Sequence, residues 1–513
     1  MAYLLGLDIG TTGVKGLLIN ENGAVVNSAT VTYPLLTPRP NWVEQNPEDW
    51  WLAACEVMRS LASSLGSDVT EIKGIGLSGQ MHSLVLLDRN HRVLRPAILW
   101  CDTRTAEECC WINETIGLEA MRDLVANPAL EGFTLPKIVW VRTNEPFIYE
   151  KIHKVLLPKD YIRFRMTGEF AMEVSDAAGT AMFDVKNRVW SDPLLAKLSI
   201  PKVWLPDVFE SIDVCGTTGS AIAGVTGLPE GIPVVGGGAD NTCGAVGTGV
   251  VREGRVLASI GTSGVVFAHS DSVRVEPKMR VHTFCHSVPR SWYVMGVMLM
   301  AGGAFRWYRD TFGQIDAEKA SSTGVDVYDL LTKEAESVPA GSEGLLFQPY
   351  LSGERTPHRS ASARAAFVGA TIRHSKSHFT RAVLEGITFG MRDSLEIIRG
   401  LGIKIEQVRL TGGGAKSSFW RQLQADVYGT EVAVVNSTEG PAYGAALLAG
   451  AGVKLFSDIV DTTERLVKVV ETIEPIEKIS RRYEECFGIY RELFPSLEGS
   501  YARMYTMYRE PEE

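Results

Sequence analysis

The chain is 513 residues long, 45% hydrophobic and 22% charged, with a net charge of −10 at pH 7. That length exceeds what one core serves, so two or three domains are expected, and the acidic balance argues against a nucleic-acid partner while leaving room for a local basic pocket. No apolar run approaches membrane-spanning length, Met1-Ala2-Tyr3 leads into a strand with no basic leader, and the eight cysteines lack C-x-x-C spacing, all of which fits a cytoplasmic protein with reduced thiols.

Residues 4–14 read as an apolar strand carrying Asp8, a turn Gly10-Thr11-Thr12-Gly13, and the start of a second strand through Ile19. A turn that is half glycine and half hydroxyl leaves N–H and O–H groups pointing outward, an arrangement that can cradle phosphate. One carboxylate beside a polyphosphate helps to hold Mg²⁺, often through water, and Asp8 is the candidate. Asn46-Pro47-Glu48-Asp49 has the signature of a helix start, and Trp50, Ala54, Val57, Met58, Leu61 and Leu65 continue at helical spacing. A strand Ile72–Leu77 then runs into Ser78-Gly79-Gln80-Met81-His82, followed by a strand over Leu84–Leu87. Met81 and His82 suit a polyol, sulfur against C–H and imidazole against hydroxyls; a satisfied structural histidine is the competing reading.

The strand Ile232–Val235 leads through Gly236-Gly237-Gly238-Ala239 to Asp240, with a small-residue helix from Asn241. A carboxylate at the carboxyl end of a strand lies where open α/β sheets bind ligands, and it can take a proton from an attacking hydroxyl in phosphoryl transfer. A helix N-terminus there would lower its pKa, and a plain N-cap role explains the residue equally well. A domain boundary is expected within 246–256.

Residues 255–265 repeat the opening hairpin, with Ser259 in place of Asp8 and a turn over Gly261, Thr262, Ser263 and Gly264. Two such hairpins half a chain apart imply two similar domains, each lending a phosphate loop to one nucleotide. His282 and His286 lack the glutamate of a zinc helix and read as strand residues. Gly302-Gly303 reads as a nucleotide-facing turn or a close helix contact. The segment Tyr350–His358 (YLSGERTPH) is a functional or interdomain loop to which spacing gives no role. The strand Val408–Leu410 enters Gly412-Gly413-Gly414 and a helix beginning near Ser417-Ser418, a place for adenine, ribose or the α-phosphate. Glu439-Gly440-Pro441 opens an alanine-rich helix, and Asp461 to Glu513 reads as helix with a charged tail. Mixed sheets covered by helices are expected.

Together GLSGQMH (76–82), PAILWCDTRT (96–105), KVLLPKDYIRFRMTGEF (154–170), SDAAGT (175–180), IGTSGV (260–265), YLSGERTPH (350–358) and GGGAKSSFWRQLQAD (412–426) resemble the FGGY family of carbohydrate kinases, most of all its xylulokinase branch. The resemblance covers nearly the whole chain. It implies two ribonuclease H-like domains of the actin and hexokinase type around a central cleft: 1–250 with sugar site, first phosphate loop and catalytic Asp; 251–460 with nucleotide contacts; 461–513 a helical segment and tail. It implies ATP-dependent phosphorylation of D-xylulose with Mg²⁺. Asp240 matches the catalytic base, Met81, His82 and Asn241 the sugar contacts, and Asp8 the carboxylate near Mg²⁺. Thr11, Thr12, Gly261 and Thr262 match phosphate-loop positions, and Gly413, Gly414 and Ser418 nucleotide contacts, with Gly302 as a further nucleotide candidate. Ala239 departs from the branch, where glycine is usual, and Met81-His82-Ser83 is shared with gluconokinases. The alternatives are a gluconokinase or other polyol kinase, and a non-catalytic ATP and sugar sensor. The partners expected are sugar and ATP, with no membrane; a homodimer is the common assembly.

Overall fold

The computed structural model of the chain describes residues 1–437 and 439–508; the last five residues of the expected charged tail lie outside them. The opening hairpin forms as β1 (Tyr3–Ile9) and β2 (Gly13–Asn20), paired antiparallel with Asp8 opposite Lys15. Around it lie β3 (Val25–Thr32), β4 (Ile72–Gly79), β5 (Val214–Thr217) and β6 (Pro233–Val235), in the order β5-β6-β4-β1-β2-β3. A short β7 (Gly238–Ala239) adds to β4. The strands β6, β4 and β1 run parallel, and the flanking pairs are antiparallel.

The second sheet repeats this plan. It is built from β8 (Gly254–Ile260), β9 (Gly264–Ser270), β10 (His282–Cys285), β11 (Trp292–Met298), β12 (Ile405–Gly412), β13 (Glu431–Val435) and β14 (Val469–Ile473), in the order β10-β11-β9-β8-β12-β13-β14. Again three central strands, β8, β12 and β13, are parallel and the outer pairs antiparallel. The expectation of mixed sheets holds. The expectation of helix throughout 461–513 fails at β14, because Val469, Val470, Thr472 and Ile473 are β-branched and complete the edge beside β13. A long helix, Glu477–Met507, follows.

Helix α1 (Pro47–Leu65) starts as its sequence indicates, with Asn46 accepting the Glu48 N–H at 3.1 Å. The helices that follow the two third parallel strands pack reciprocally. α3 (Asp240–Gly247), which follows α2 (Val174–Gly179) in the chain, faces the second sheet, where Ala245 joins Leu257 and Phe267 in one apolar cluster. The helix Pro441–Gly452, although it belongs to the second half, lies on the first sheet, where Ala442, Ala445 and Ala446 join Leu4, Leu17 and Ile19 in another. Glycine makes this contact possible: a Cβ at Gly6 would stand 2.0 Å from the Ala442 carbonyl oxygen, and one at Gly76 1.9 Å from that of Ala445. No helix among the described residues is long and apolar enough to cross a membrane.

Candidate active site

Three neighbouring parallel strands end together, and each delivers one part of the site. From β1 comes the turn Gly10–Gly13, from β4 the turn Gln80–His82, and from β7 Asp240; Asp8, Ser78 and Gly238 lie side by side in the ladder. The Ser78 hydroxyl donates to Asp8 Oδ1 at 2.9 Å. Burial pushes the Asp8 carboxyl up to about 6, against the opposing effects of Ser78 and Lys15. Burial, then the charge of Asp8, push Asp240 up to about 7. The helix N-terminus is thus outweighed: Asp240 Oδ1 accepts the Asn241 N–H at 2.8 Å, yet desolvation and a like charge dominate. The backbone before Asp240 is fixed by a relay. The Ala239 N–H donates to Ser175 Oγ (3.0 Å), and the Ser175 hydroxyl to Glu173 (2.8 Å). Ala239 itself is buried with ordinary extended angles, so its methyl forces no distortion on the residue that follows.

The sugar candidates converge on the same place. Asn241 Nδ2 lies 3.7 Å from Met81 Sδ, and His82 Nδ1 is 2.6 Å from the Gly179 carbonyl at the end of α2. A carbonyl only accepts, so Nδ1 carries the proton and Nε2 is left as an acceptor. Burial lowers the His82 pKa to about 3, so the ring is neutral across the physiological range. Gly179 is required here: a Cβ would meet Met81 Cε at 2.6 Å and the His82 ring at 3.0 Å. Beneath, Thr134 and Lys137 donate to the His82 carbonyl at 3.0 and 3.1 Å.

Both candidate phosphate turns are held by hydrogen bonds to their carbonyls. The Gln45 side-chain amide donates to the Thr11 carbonyl (2.7 Å), Trp100 Nε1 to Thr11 Oγ1 (3.0 Å), and the Tyr33 hydroxyl to the Gly10 carbonyl. In the second turn Gly302 N–H donates to Gly261 O (2.8 Å), and Ala301 and Gly303 N–H to Thr262 O (3.0 and 2.9 Å). The N–H groups of Thr11, Thr12, Thr262 and Ser263 have no acceptor among the described residues, which leaves four donors without a protein partner. A cavity of 760 Å³ runs from Asp240 and Asn241 past Ser259 to Gly412 and Gly440. A second of 300 Å³ continues from it at Gly413 and Lys416, with Gly261, Thr262, Gly302 and Gly414 on its walls and Phe305, Tyr328 and Trp420 around it. The aromatic walls suit a purine base. Lys15 meets Glu439 at 2.8 Å and ties the lobes together at the cleft edge.

One expectation is displaced by a residue. Ser418 is exposed and lines neither cavity, whereas Ser417, the N-cap of the helix Ser418–Tyr428, lines the smaller one. Sequence reading assigned no site role to Ser78, Gln45, Gly179 or the aromatic slot, although Ser78, Gly179 and Trp420 stand within the runs that carry the family resemblance. His286 is structural: Nε2 meets the Val250 carbonyl at 3.2 Å and Nδ1 accepts the Val288 N–H at 3.0 Å. Its fellow metal candidate His282 has Nδ1 near Asn127 Oδ1 (3.3 Å), while its buried Nε2 has no partner among the described residues.

Residues 3–247 match the N-terminal domain of the FGGY family of carbohydrate kinases, and residues 256–453 match its C-terminal domain. The chain belongs to that family. It is 40% identical to a xylulose kinase of Bacillus subtilis over 96% of this chain and 97% of the other. A gluconokinase of the same organism is 31% identical over 98% of both chains. Among solved structures, a kinase from Brucella ovis described as a xyloylose kinase superposes with a TM-score of 0.90 at 37% identity, covering 97% of this chain and 99% of its own.

Proposed function

We propose that this carbohydrate kinase transfers the γ-phosphoryl group of ATP to the C5 hydroxyl of D-xylulose, giving D-xylulose 5-phosphate and ADP. The observation that carries the reading is the placement of Asp240, a carboxylate pushed up to about 7, beside the Asn241–Met81–His82 group at the mouth of the nucleotide cleft. A carboxylate near neutrality is a stronger base than an ordinary one and is still partly ionised at pH 7. Asp240 accepts the proton of the attacking hydroxyl, Asn241 and the His82 Nε2 orient the sugar, and Met81 packs on its C–H face. The N–H groups of Thr11, Thr12, Thr262 and Ser263 hold the polyphosphate, and closure of the lobes excludes water.

The residues fit a hard divalent cation. Asp8 and Asp240 are half-buried carboxylates close enough that the charge of Asp8, after burial, raises Asp240, and Mg²⁺ characteristically takes one or two carboxylates together with substrate phosphates. Asp8 would hold it; when bound, it would neutralise charge on the β- and γ-phosphates. The reading makes ATP and sugar the partners, the cytoplasm the site, and a homodimer the expected assembly.

D-Gluconate is the second reading, favoured by Met81-His82-Ser83 and by the 31% identity to a gluconokinase. The non-catalytic sensor is disfavoured, because a binder has no use for a base raised toward neutrality beside its ligand. Coupled ADP release with MgATP against D-xylulose, L-xylulose, D-ribulose, L-ribulose, glycerol and D-gluconate decides. Preference for D-xylulose supports the reading, preference for gluconate transfers the chemistry to an acid, and no stimulation by any sugar refutes both.

A further inference from the structure

A separate cavity of 490 Å³ lies in the C-terminal lobe and has no part in the chemistry above. It is enclosed by the helices Lys376–Gly400 and Glu477–Met507, the loop between β9 and β10, and the end of the Tyr350–His358 segment. It shares no residue with either cavity of the cleft. Asp393 stands in its wall with a side chain only 7% exposed. That carboxylate makes no hydrogen bond among the described residues, and its one ion-pair contact, to Arg491 Nε, is 3.7 Å long. Burial pushes the carboxyl up to about 7, against the charge of Arg491. Its helix is fixed in place, because Met391 and Ser394 press on Gly264 and Gly296. A desolvated carboxylate with no hydrogen-bond donor is costly to keep.

The other carboxylates of this cavity already have partners. Glu276 Oε1 accepts from Arg280 Nε and Nη2 at 3.2 and 2.8 Å, and Glu396 Oε1 accepts from Arg392 and Arg399 at 3.2 and 2.7 Å. What remains is one acceptor, Asp393, and the unused donors of two guanidiniums. Arg491 makes no hydrogen bond among the described residues and lies over the Phe487 ring at 5.8 Å. Arg280 Nη1 likewise has no partner among them. His358 adds no charge: its Nε2 meets the Tyr350 hydroxyl at 3.2 Å, its ring stacks on Phe494 at 3.7 Å, and burial with the two arginines lowers its pKa to about 4. Pro277, Pro357 and Pro495 supply rigid apolar faces.

We propose that this cavity binds a polyol phosphate, whose hydroxyls donate to Asp393 and whose phosphate is held by Arg491 and Arg280. A carboxylate only accepts, so its ligand brings a hydroxyl or an ammonium donor. Two guanidiniums in the same cavity repel a cation, which selects the hydroxyl. The same guanidiniums call for an anion, and a phosphate dianion serves both. The proline faces pack against the C–H side of the chain. The site stands apart from the cleft, so the inference does not depend on which sugar the kinase phosphorylates. Through Pro357 and His358 it gives the end of YLSGERTPH a role that spacing did not supply.

The test is calorimetric titration of the full-length protein and its D393N and R491Q variants with ribitol 5-phosphate, with ribitol and inorganic phosphate as controls. The parent should bind ribitol 5-phosphate more tightly than either control. Each variant should weaken that binding by about 10- to 100-fold, the scale of a lost charge-assisted hydrogen bond, while turnover of the preferred sugar stays within about twofold. Unchanged affinity in either variant places the ligand elsewhere, in the catalytic cleft, and overturns the inference. Absence of binding up to about 10 mM overturns it as well. Inorganic phosphate binding as tightly as ribitol 5-phosphate reduces the site to one for a simple anion and overturns the polyol assignment. Should D393N fail to fold, R491Q, at a largely exposed side chain, carries the same comparison. A chain that turns over no sugar still gives the binding result, so failure of the functional reading and failure of this inference are seen separately.

Discussion

Asp240→Asn retains the size of the side chain and an acceptor for the Asn241 N–H while removing the carboxylate. A positioned general base contributes about 10²- to 10⁴-fold, so kcat should fall by that factor with sugar affinity nearly unchanged. The pKa adds a second signature. With the Asp240 carboxyl at about 7, about half of the free enzyme holds an ionised base at pH 7 and about one-tenth at pH 6. The kcat/KM for sugar should therefore fall about tenfold per unit on the acid side of that value, and the residual rate of D240N should be flat. Neutralising Asp8 with a cation removes the like charge and moves the limb to lower pH. The assay is coupled ADP release from pH 5.5 to 8.5, with sugar affinity followed by tryptophan fluorescence. A variant that keeps turnover within tenfold of the parent, or keeps the same acid limb, refutes the assignment. Stability gives an independent check of sign. A carboxyl raised in the fold favours its protonated form, so this contribution is fully present below the ordinary carboxylate value and lost as pH rises through about 7. D240N should accordingly raise the thermal midpoint more at pH 8 than at pH 4.

Asp8→Asn should raise the Mg²⁺ concentration for half-maximal rate and, by removing the charge that raises Asp240, shift the acid limb downward; an unchanged Mg²⁺ titration contradicts the role of Asp8. Gly179→Ala drives a methyl into Met81 and His82 and should raise the sugar KM by about 10- to 100-fold with KM for ATP unchanged, measured in the same assay. Gly6→Ala sets a Cβ against a helix backbone carbonyl, an overpacking that should cost about 3 kcal/mol or more. A thermal melt of G6A matching the parent would refute the close approach of that helix to the first sheet.

The paired hairpins were legible because Gly-Thr-Thr/Ser-Gly constrains both backbone and chemistry, and the ladder registers set Asp8 against Ser78 and Ser259 against Thr411 as equivalent positions. Helix α1 was legible from its cap, and Asp240 from its place after a glycine-rich strand end. What escaped is what depends on contacts distant in sequence. The raised pKa of Asp240 needs Asp8 and enclosure, neither visible locally, and the local rule at a helix N-terminus has the opposite sign. Gly179 stands inside the SDAAGT run that carries the family resemblance, but its steric role gave no signal because the constraint comes from side chains almost a hundred residues away. Ser417 and Ser418 differ only in which one caps the helix, a distinction of one residue's rotation. In β14, the β-branched run was outvoted by the helical character of the residues around it.

The helix Pro441–Gly452, lying on a sheet whose first strand is Tyr3–Ile9, sets an order on how the protein can be made. A nascent chain growing at about 5–20 residues per second leaves that first sheet, complete only at Ala239, exposed for roughly 10 to 40 seconds before the helix meant to cover it has been synthesised. During that interval the face bearing Leu4, Leu17 and Ile19, with the bare backbone of Gly6 and Gly76, has no native partner. The N-terminal half is therefore a poor candidate for expression alone, and in the intact chain its folding is completed from the far end of the sequence, not at the point where its own residues run out.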